Sequence, residues 1–296
     1  MRRILWVGTI LVLLLAPVTV CGAMPKYDAL YVFGDSYCDV GNIYLATAPN
    51  NYPPAPYYPG RFSNGPIWVD HIASVLGVPL IPSLAGGTDY AFGGAWVTAP
   101  AAAPGGSGTI PSVPQQVLLY LSQHGGKADP NALYFLEGGG NDIVKSPSTN
   151  PEALGYQIAV GLAESELVLR RAGARHFVIP NLFNVGLLPV ATETNRVAFA
   201  TATSAAANKW LTTLLGFEQL LQGVHIIRID VDSLMNAVMK DVTHFNFLDV
   251  TDPCLTTTLC SDPDHTFFWD DFHPTAFGHA YFAVVIENTL AIEDRW

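Results

Sequence analysis

Five short apolar runs, each stopped by a glycine, a proline or a polar residue, alternate along this chain with longer stretches of helical spacing. The first, Leu30, Tyr31, Val32 and Phe33, carries no charge and runs straight into Gly34, Asp35 and Ser36, the signature of a buried parallel strand ending at a turn. Similar runs occur in GGTDYAFGGAW, where small and aromatic residues lead to Gly93 and Gly94, and in ALYFLEGGGND. Two more lie at Phe177 to Ile179 and in VHIIRID. Between them the spacing predicts helices. In RFSNGPIWVDHIASVLG, Trp68, Ile72, Val75 and Leu76 share a face, with Ser63 or Asn64 as cap and Pro66 in the first turn. From Ser112, Val117, Leu118, Tyr120 and Leu121 form an apolar side that Gly125 and Gly126 stop. Residues 151–172 read as a helix closed by Gly173, residues 193–221 as a second with a break expected near Gly216, and the C-terminal stretch holding His279 as the last. This alternation predicts an α/β fold with a mostly parallel sheet of about five strands in one domain spanning 24–296. The helix expected directly after Ser36 would turn its N-terminal amides toward a developing anion. Residues 43–62, rich in Pro and Tyr, and 97–108, rich in Ala, Pro and Gly, have no period and read as loops.

The first 23 residues do not belong to that pattern. Two arginines, an uncharged apolar run interrupted at Pro17, and the small Gly22 and Ala23 form a secretory signal peptide rather than a membrane span. Lipidation at Cys21 is disfavoured by Val20 before it, where a small residue is usual. Removing this leader takes two of the 14 basic residues and none of the 25 acidic ones, so the net charge goes from −11 to −13. An acidic surface with no basic cluster beyond Arg170 and Arg171 excludes nucleic acid as a partner. Export makes disulfides feasible, and Cys254 and Cys260, which enclose a short loop, are read as a pair. Cys38 is left over and reads as a small buried hydrophobe.

Chemistry enters where the runs end. A serine at the carboxyl end of a central strand sits where ligands bind in open α/β sheets, although a lone Gly-Asp-Ser is more often an ordinary turn. Near the C-terminus, Asp270 and His273 precede Pro274 in one short loop that can supply an imidazole and the carboxylate that orients it. Asp271 competes for that role, but two residues from His273 it points elsewhere, and Asp35 is excluded by adjacency to Ser36. In GGGND the side-chain amide of Asn141 can donate to an oxyanion, although Gly-Asn-Asp is also common turn chemistry. The glycines match no dinucleotide or P-loop fingerprint, His176, His225 and His244 show no metal-ligand spacing, and His71, inside a predicted helix, reads as a surface or satisfied histidine. No metal or organic cofactor is expected.

From about Tyr27 to the C-terminus, GDS, the second glycine block, GGGND and DxxH in this order resemble the GDSL lipase/esterase family, the SGNH hydrolases. The resemblance implies a three-layer α/β/α, flavodoxin-like fold and acyl transfer through an ester of Ser36, with His273 as base and Asp270 as its orienting acid. It further implies an oxyanion hole made of the Ser36 and Gly94 backbone amides and the Asn141 side chain. The family often has asparagine where Asp89 stands. The expected function is a secreted or periplasmic hydrolase of carboxylic esters, above all lipid or lysophospholipid acyl esters, with transient contact to a membrane surface. Acyl transfer to an alcohol or sterol, and carbohydrate O-acetyl ester hydrolysis, are the alternatives within enzymes; a catalytically dead binding protein is the alternative outside them. The loops at 51–58 and 97–103 either line an apolar acyl groove or are ordinary surface.

Overall fold

Leu30–Phe33 forms strand β1, buried at Leu30, Val32 and Phe33 and half-buried at Tyr31, as its uncharged sequence leads one to expect. The computed structural model describes residues 27–106, 108–218 and 223–293, so the leader at 1–23 lies outside the described residues. The helix expected directly after Ser36 begins later: residues 35–39 form a tight turn, with Cys38 N and Asp39 N both donating to Asp35 O, and α1 spans Asn42–Ala46. Helix α2 covers Trp68–Leu76. Neither Ser63 nor Asn64 caps it; Ile67 N donates to the Asp70 carboxylate instead. The loop expected at 97–108 contains one arm of a small hairpin, β2 (Ala101–Ala102) pairing antiparallel with β3 (Thr109–Ile110).

Ser112 then caps α3 (Val113–Gln123), β4 is Leu133–Leu136, and α4 is Gly140–Lys145. Helix α5 occupies Pro151–Ala172 with Asn150 at its N-cap and Gly173 at its C-cap, the boundaries the sequence sets. After β5 (His176–Pro180) come α6 (Pro189–Glu193) and α7 (Val197–Glu218). The single helix expected from residue 193 is therefore divided, at Asn195 with φ 53°, and not at Gly216, which stays helical. Strand β6 is His225–Ile229 and the final helix α9 is Ala276–Glu293. Between them lies α8 (Val231–Lys240), which the sequence reading did not anticipate; its signal was Asp230, whose carboxylate caps Ser233 N, with Val231, Met235 and Val238 on one buried face.

Among the described residues the main sheet is parallel in the order β1-β4-β5-β6, four regular strands against an expected five or so. The missing strand is irregular rather than absent. Residues 88–92 run beside the free edge of β1 through Val32 N to Thr88 O, Tyr90 N to Val32 O and Phe92 N to Gly34 O. Their outer side is taken by Ile81 O and Ser83 N, which bond the Asp89 backbone and close the edge. Counting this segment, the order places the first strand between the second and the third, so the chain reverses direction across the sheet at β1. Every residue of β4 is buried because both faces are covered. Helices α3, α5 and α7 pack together, and α2, α8 and α9 form the other set.

Candidate active site

The ends of three adjacent strands supply one side of the site. Gly34 is locked by Gln116, whose buried amide accepts from Gly34 N and donates to Gly34 O, both at 2.9 Å. A Cβ at Gly34 would lie 2.1 Å from Glu137 Oε1, so any side chain there would displace the carboxylate that accepts from Asp35 N. Ser36 follows, buried in the turn. The next strand end is tied to it by Asp39, a residue with no obvious signal in the sequence. Its carboxylate accepts from Gly41 N, Asn42 N, Ile43 N and, 54 residues on, Gly93 N at 2.7 Å. Gly94 then adopts φ 83°, a left-handed conformation that favours glycine. Among the described residues neither Ser36 N nor Gly94 N donates to a protein acceptor.

Asn141 stands after β4. Its amide orientation is set from both sides, because Lys145 Nζ can only donate and holds Oδ1 at 2.8 Å, while Nδ2 donates to Asp35 Oδ2 at 3.2 Å. One amide hydrogen therefore remains for a ligand. The adjacent Asp142 accepts from Val97 N, Thr98 N and Thr98 Oγ1, fastening the hairpin loop to this strand end.

The other side is the loop at 270–273. His273 Nε2 lies 2.7 Å from Ser36 Oγ, and Nδ1 lies 2.9 and 2.8 Å from the two oxygens of Asp270. Since a carboxylate only accepts, Nδ1 carries the hydrogen and Nε2 is free to accept from the serine hydroxyl. Asp270 Oδ1 also accepts from Phe272 N and His273 N, and Tyr57 donates its hydroxyl to Oδ2 at 2.7 Å. Burial pushes the Asp270 carboxyl up, but the His273 charge and the bonds from His273, Tyr57 and Phe272 outweigh it and hold the group below its ordinary range. Asp271 does not bond His273; burial, then Glu193 and Asp270, push its carboxyl up.

The loop itself is held from outside. Tyr37 donates its hydroxyl to Phe272 O at 2.5 Å, Ser63 Oγ donates to Pro274 O, and Asn64 Oδ1 accepts from Ala276 N. The two residues expected as helix caps thus pin the histidine loop instead. Cys254 and Cys260 are joined, and Cys254 N and Leu255 N donate to Phe268 O and Trp269 O, so the bridged loop backs the segment that leads into Asp270. Cys38 is buried and unpaired, and burial drives its thiol well up, followed by repulsion from Glu137 and Asp35. His279 is buried with neither ring nitrogen bonded among the described residues; burial above all, then His273 and His71, lower it to about 3, so it is neutral.

Ser36, Gly94, Asn141, Asp270 and His273 all line one cleft of about 580 Å³. Its lining includes Tyr52 and Tyr57 from the first loop, Trp96 just before the second, and Pro100 and Ala101 from the second. Sequence reasoning missed Asp39, Asp142 and Tyr37, whose decisive partners are distant in the chain, and Lys145, whose partner Asn141 lies four residues earlier on α4. Among the described residues no group of three or more His, Cys, Asp or Glu side chains is placed to hold a metal ion. None of the described helices is long and apolar enough to cross a membrane.

A family model described as GDSL-like lipase/acylhydrolase matches residues 30–286. The chain is 27% identical over 287 residues to the thermolabile hemolysin of Vibrio parahaemolyticus, a match covering 87% of this chain and 62% of the hemolysin. It is 27% identical over 255 residues to the phosphatidylcholine-sterol acyltransferase of Aeromonas hydrophila, covering 84% and 72%. A carbohydrate acetylesterase of Sinorhizobium meliloti shares the fold at TM-score 0.51 and 14% identity, over 89% of this chain and 98% of that one.

Proposed function

The chain belongs to the GDSL-like lipase/acylhydrolase family, and we propose that it is an exported serine hydrolase of lipid acyl esters. The observation that carries the reading is the 2.7 Å approach of His273 Nε2 to Ser36 Oγ with Nδ1 on Asp270. In this reading Nε2 takes the hydroxyl proton as Oγ forms a bond to the ester carbonyl carbon. The oxyanion meets Ser36 N, Gly94 N and the free hydrogen of Asn141 Nδ2. Each such donor contributes roughly 3 kcal/mol to the transition state. Collapse breaks the bond to the alkoxy oxygen, which leaves with the proton from Nε2, and water repeats the sequence in reverse to free the acid.

Two features support a lipid substrate. The hemolysin and the sterol acyltransferase are similar over most of the chain, and aromatic and apolar side chains line the cleft rim. Export is supported by the leader pattern at 1–23 and by the Cys254–Cys260 pair. The wide cleft also leaves room for an alcohol in place of water, which favours acyl transfer as the second reading. The test is fluorophosphonate labelling followed by an ester panel of phospholipids, lysophospholipids and acetylated glycans, with and without a sterol. Labelling at Ser36 with release of fatty acid is expected. A folded sample that does not label points to a binding protein, activity confined to acetyl esters overturns the lipid reading, and sterol ester in place of free acid makes the protein an acyltransferase.

A further inference from the structure

Tyr57 connects the wall of the cleft to Asp270. Its half-buried side chain lines the cleft, and its hydroxyl donates to Asp270 Oδ2 at 2.7 Å. The two oxygens of Asp270 are served unequally. Oδ1 accepts from Phe272 N and His273 N, both inside the loop, whereas among the described residues Oδ2 has only Tyr57 besides the contact with His273 Nδ1 that both oxygens share. Among the described residues Tyr57 is therefore the one donor to this carboxylate from outside its own loop, 213 residues earlier in the chain.

On the reading that Ser36 attacks with His273 as its base, we propose that Tyr57 is a positioning residue for the reaction, holding Asp270 Oδ2 and sharing its negative charge, so that it sets both the orientation and the basicity of the imidazole. As Ser36 Oγ bonds to the ester carbonyl carbon, its proton passes to Nε2; the hydrogen on Nδ1 stays facing Asp270, and Tyr57 keeps its own proton throughout. Burial above all, then the Asp270 charge, push the Tyr57 phenol well above its ordinary range, so it acts only as a donor. A donor on Oδ2 spreads the carboxylate charge. Without it that charge acts more strongly on the imidazolium, and the base stays protonated to higher pH.

The fold fixes this placement. The Tyr57 ring meets Trp269 edge-on at 5.9 Å and 87°, and Trp269 N donates to His273 O at 2.7 Å. Phe62, at the end of the same loop, has its ring 5.1 Å from the imidazole, and Tyr58 N donates to the backbone of Ser63, whose hydroxyl holds Pro274 O. One loop thus sets a ring on the base and a hydroxyl on the acid. The other titratable groups facing the pair are Asp35 and Tyr37 from the turn after β1, His279 from α9, and Tyr52 and Asp271 beside the carboxylate, with Lys145 over the ring of Phe272. Removing the Tyr57 hydroxyl leaves all of them in place, so a change in pH dependence reads that hydroxyl.

The test is the pH profile of kcat and KM from about pH 5 to 9 on a p-nitrophenyl ester, for the unmodified chain, Tyr57→Phe and Tyr58→Phe, with thermal unfolding as the folding check. Tyr57→Phe should lower the plateau kcat several-fold, keep KM within about twofold and move the acid limb of kcat/KM up by about half a pH unit. Tyr58→Phe, which removes an exposed hydroxyl from the next residue of the same loop, should change none of these. Fluorotyrosine placed at position 57 keeps the shape and strengthens the donor, so it should move the limb down, and it supplies the answer should Tyr57→Phe fail to fold. A lower plateau with an unmoved limb in both variants would reduce Tyr57 to packing, and a raised KM with kcat unchanged would make its hydroxyl a substrate contact; either result overturns the proposal while the hydrolase reading stands. An unmodified chain that neither labels with fluorophosphonate nor turns over any ester overturns both.

Discussion

The two halves of the site are built by different means. Ser36, Gly94 and Asn141 each follow the carboxyl end of one of three neighbouring strands, where parallel backbone bonds such as the register Leu30 to Leu133 fix the frame. Asp270 and His273 stand on a loop in a stretch, residues 241–275, whose only helical element is one short turn at Pro263–His265. That loop is held by side chains from elsewhere: Tyr37, Ser63, Asn64 and the bridged loop at 254–260. A sheet is cooperative and hard to deform locally, whereas a loop held by a few separate bonds loosens when one is lost. On the proposed roles, Ser36, Gly94 and Asn141 should therefore fail by chemistry, and Asp270 and His273 by geometry as well.

Chemistry gives the largest expected effects. Ser36→Ala or His273→Ala should each lower kcat on the order of 10⁶-fold, and Asp270→Ala on the order of 10⁴-fold, because an unoriented imidazole still accepts a proton. Asp271→Ala should change turnover little. Steady-state kinetics on folded variants decides it, and a larger loss for Asp271→Ala than for Asp270→Ala would reverse the assignment. On the sheet-borne side, Asn141→Ala should cost about 10²- to 10³-fold in kcat with KM nearly unchanged. Lys145→Met should cost less, about tenfold, since it removes the group that orients the amide but not the donor.

The loop-borne half should respond to changes that touch no reacting atom. Replacing Cys254 and Cys260 by serine opens a loop of sequence separation six, which on the chain-entropy estimate costs about 2 to 3 kcal/mol in denaturant unfolding. No change in stability would show that the bridge does not support the loop. Tyr37→Phe removes only the bond to Phe272 O and should cost about 1 kcal/mol of stability, with a several-fold drop in kcat. An unaltered kcat would mean that the remaining bonds suffice.

Protonation separates the halves more finely. The Asp270 carboxyl is held below its ordinary value when folded, so its contribution to stability is fully present above the unfolded carboxylate range near pH 4 and is lost as pH falls through the folded value. Glu137, raised by burial and by Asp35, has the opposite sign: it opposes folding as pH rises from the unfolded value toward the folded one. Denaturant unfolding from pH 7 to pH 2 should show a shallower acid loss for Asp270→Asn than for the unmodified chain, and Glu137→Gln should remove the opposing contribution. Identical slopes for Asp270→Asn and the unmodified chain would contradict the first assignment.

Local patterning was enough for the parallel strands, the long helices α3 and α5 and the pair Asp270 and His273, because those signals are short in range: uncharged runs, caps, a glycine stop, a three-residue spacing. It also carried residues 88–92 as a strand, which the fold keeps only as an irregular edge because the Asp89 backbone must also pair with Ile81 and Ser83. What sequence could not decide was which polar residues hold the site together. Asp39 reads as an ordinary turn acid until the fold brings Gly93 to its carboxylate, and Ser63 and Asn64 read as caps until the fold places them against residues 274 and 276. Those choices depend on burial and on contacts across 54 residues for Asp39 and more than 200 for Ser63 and Asn64. A buried polar group must find a partner wherever the packed chain puts one, and only the tertiary structure fixes where that is.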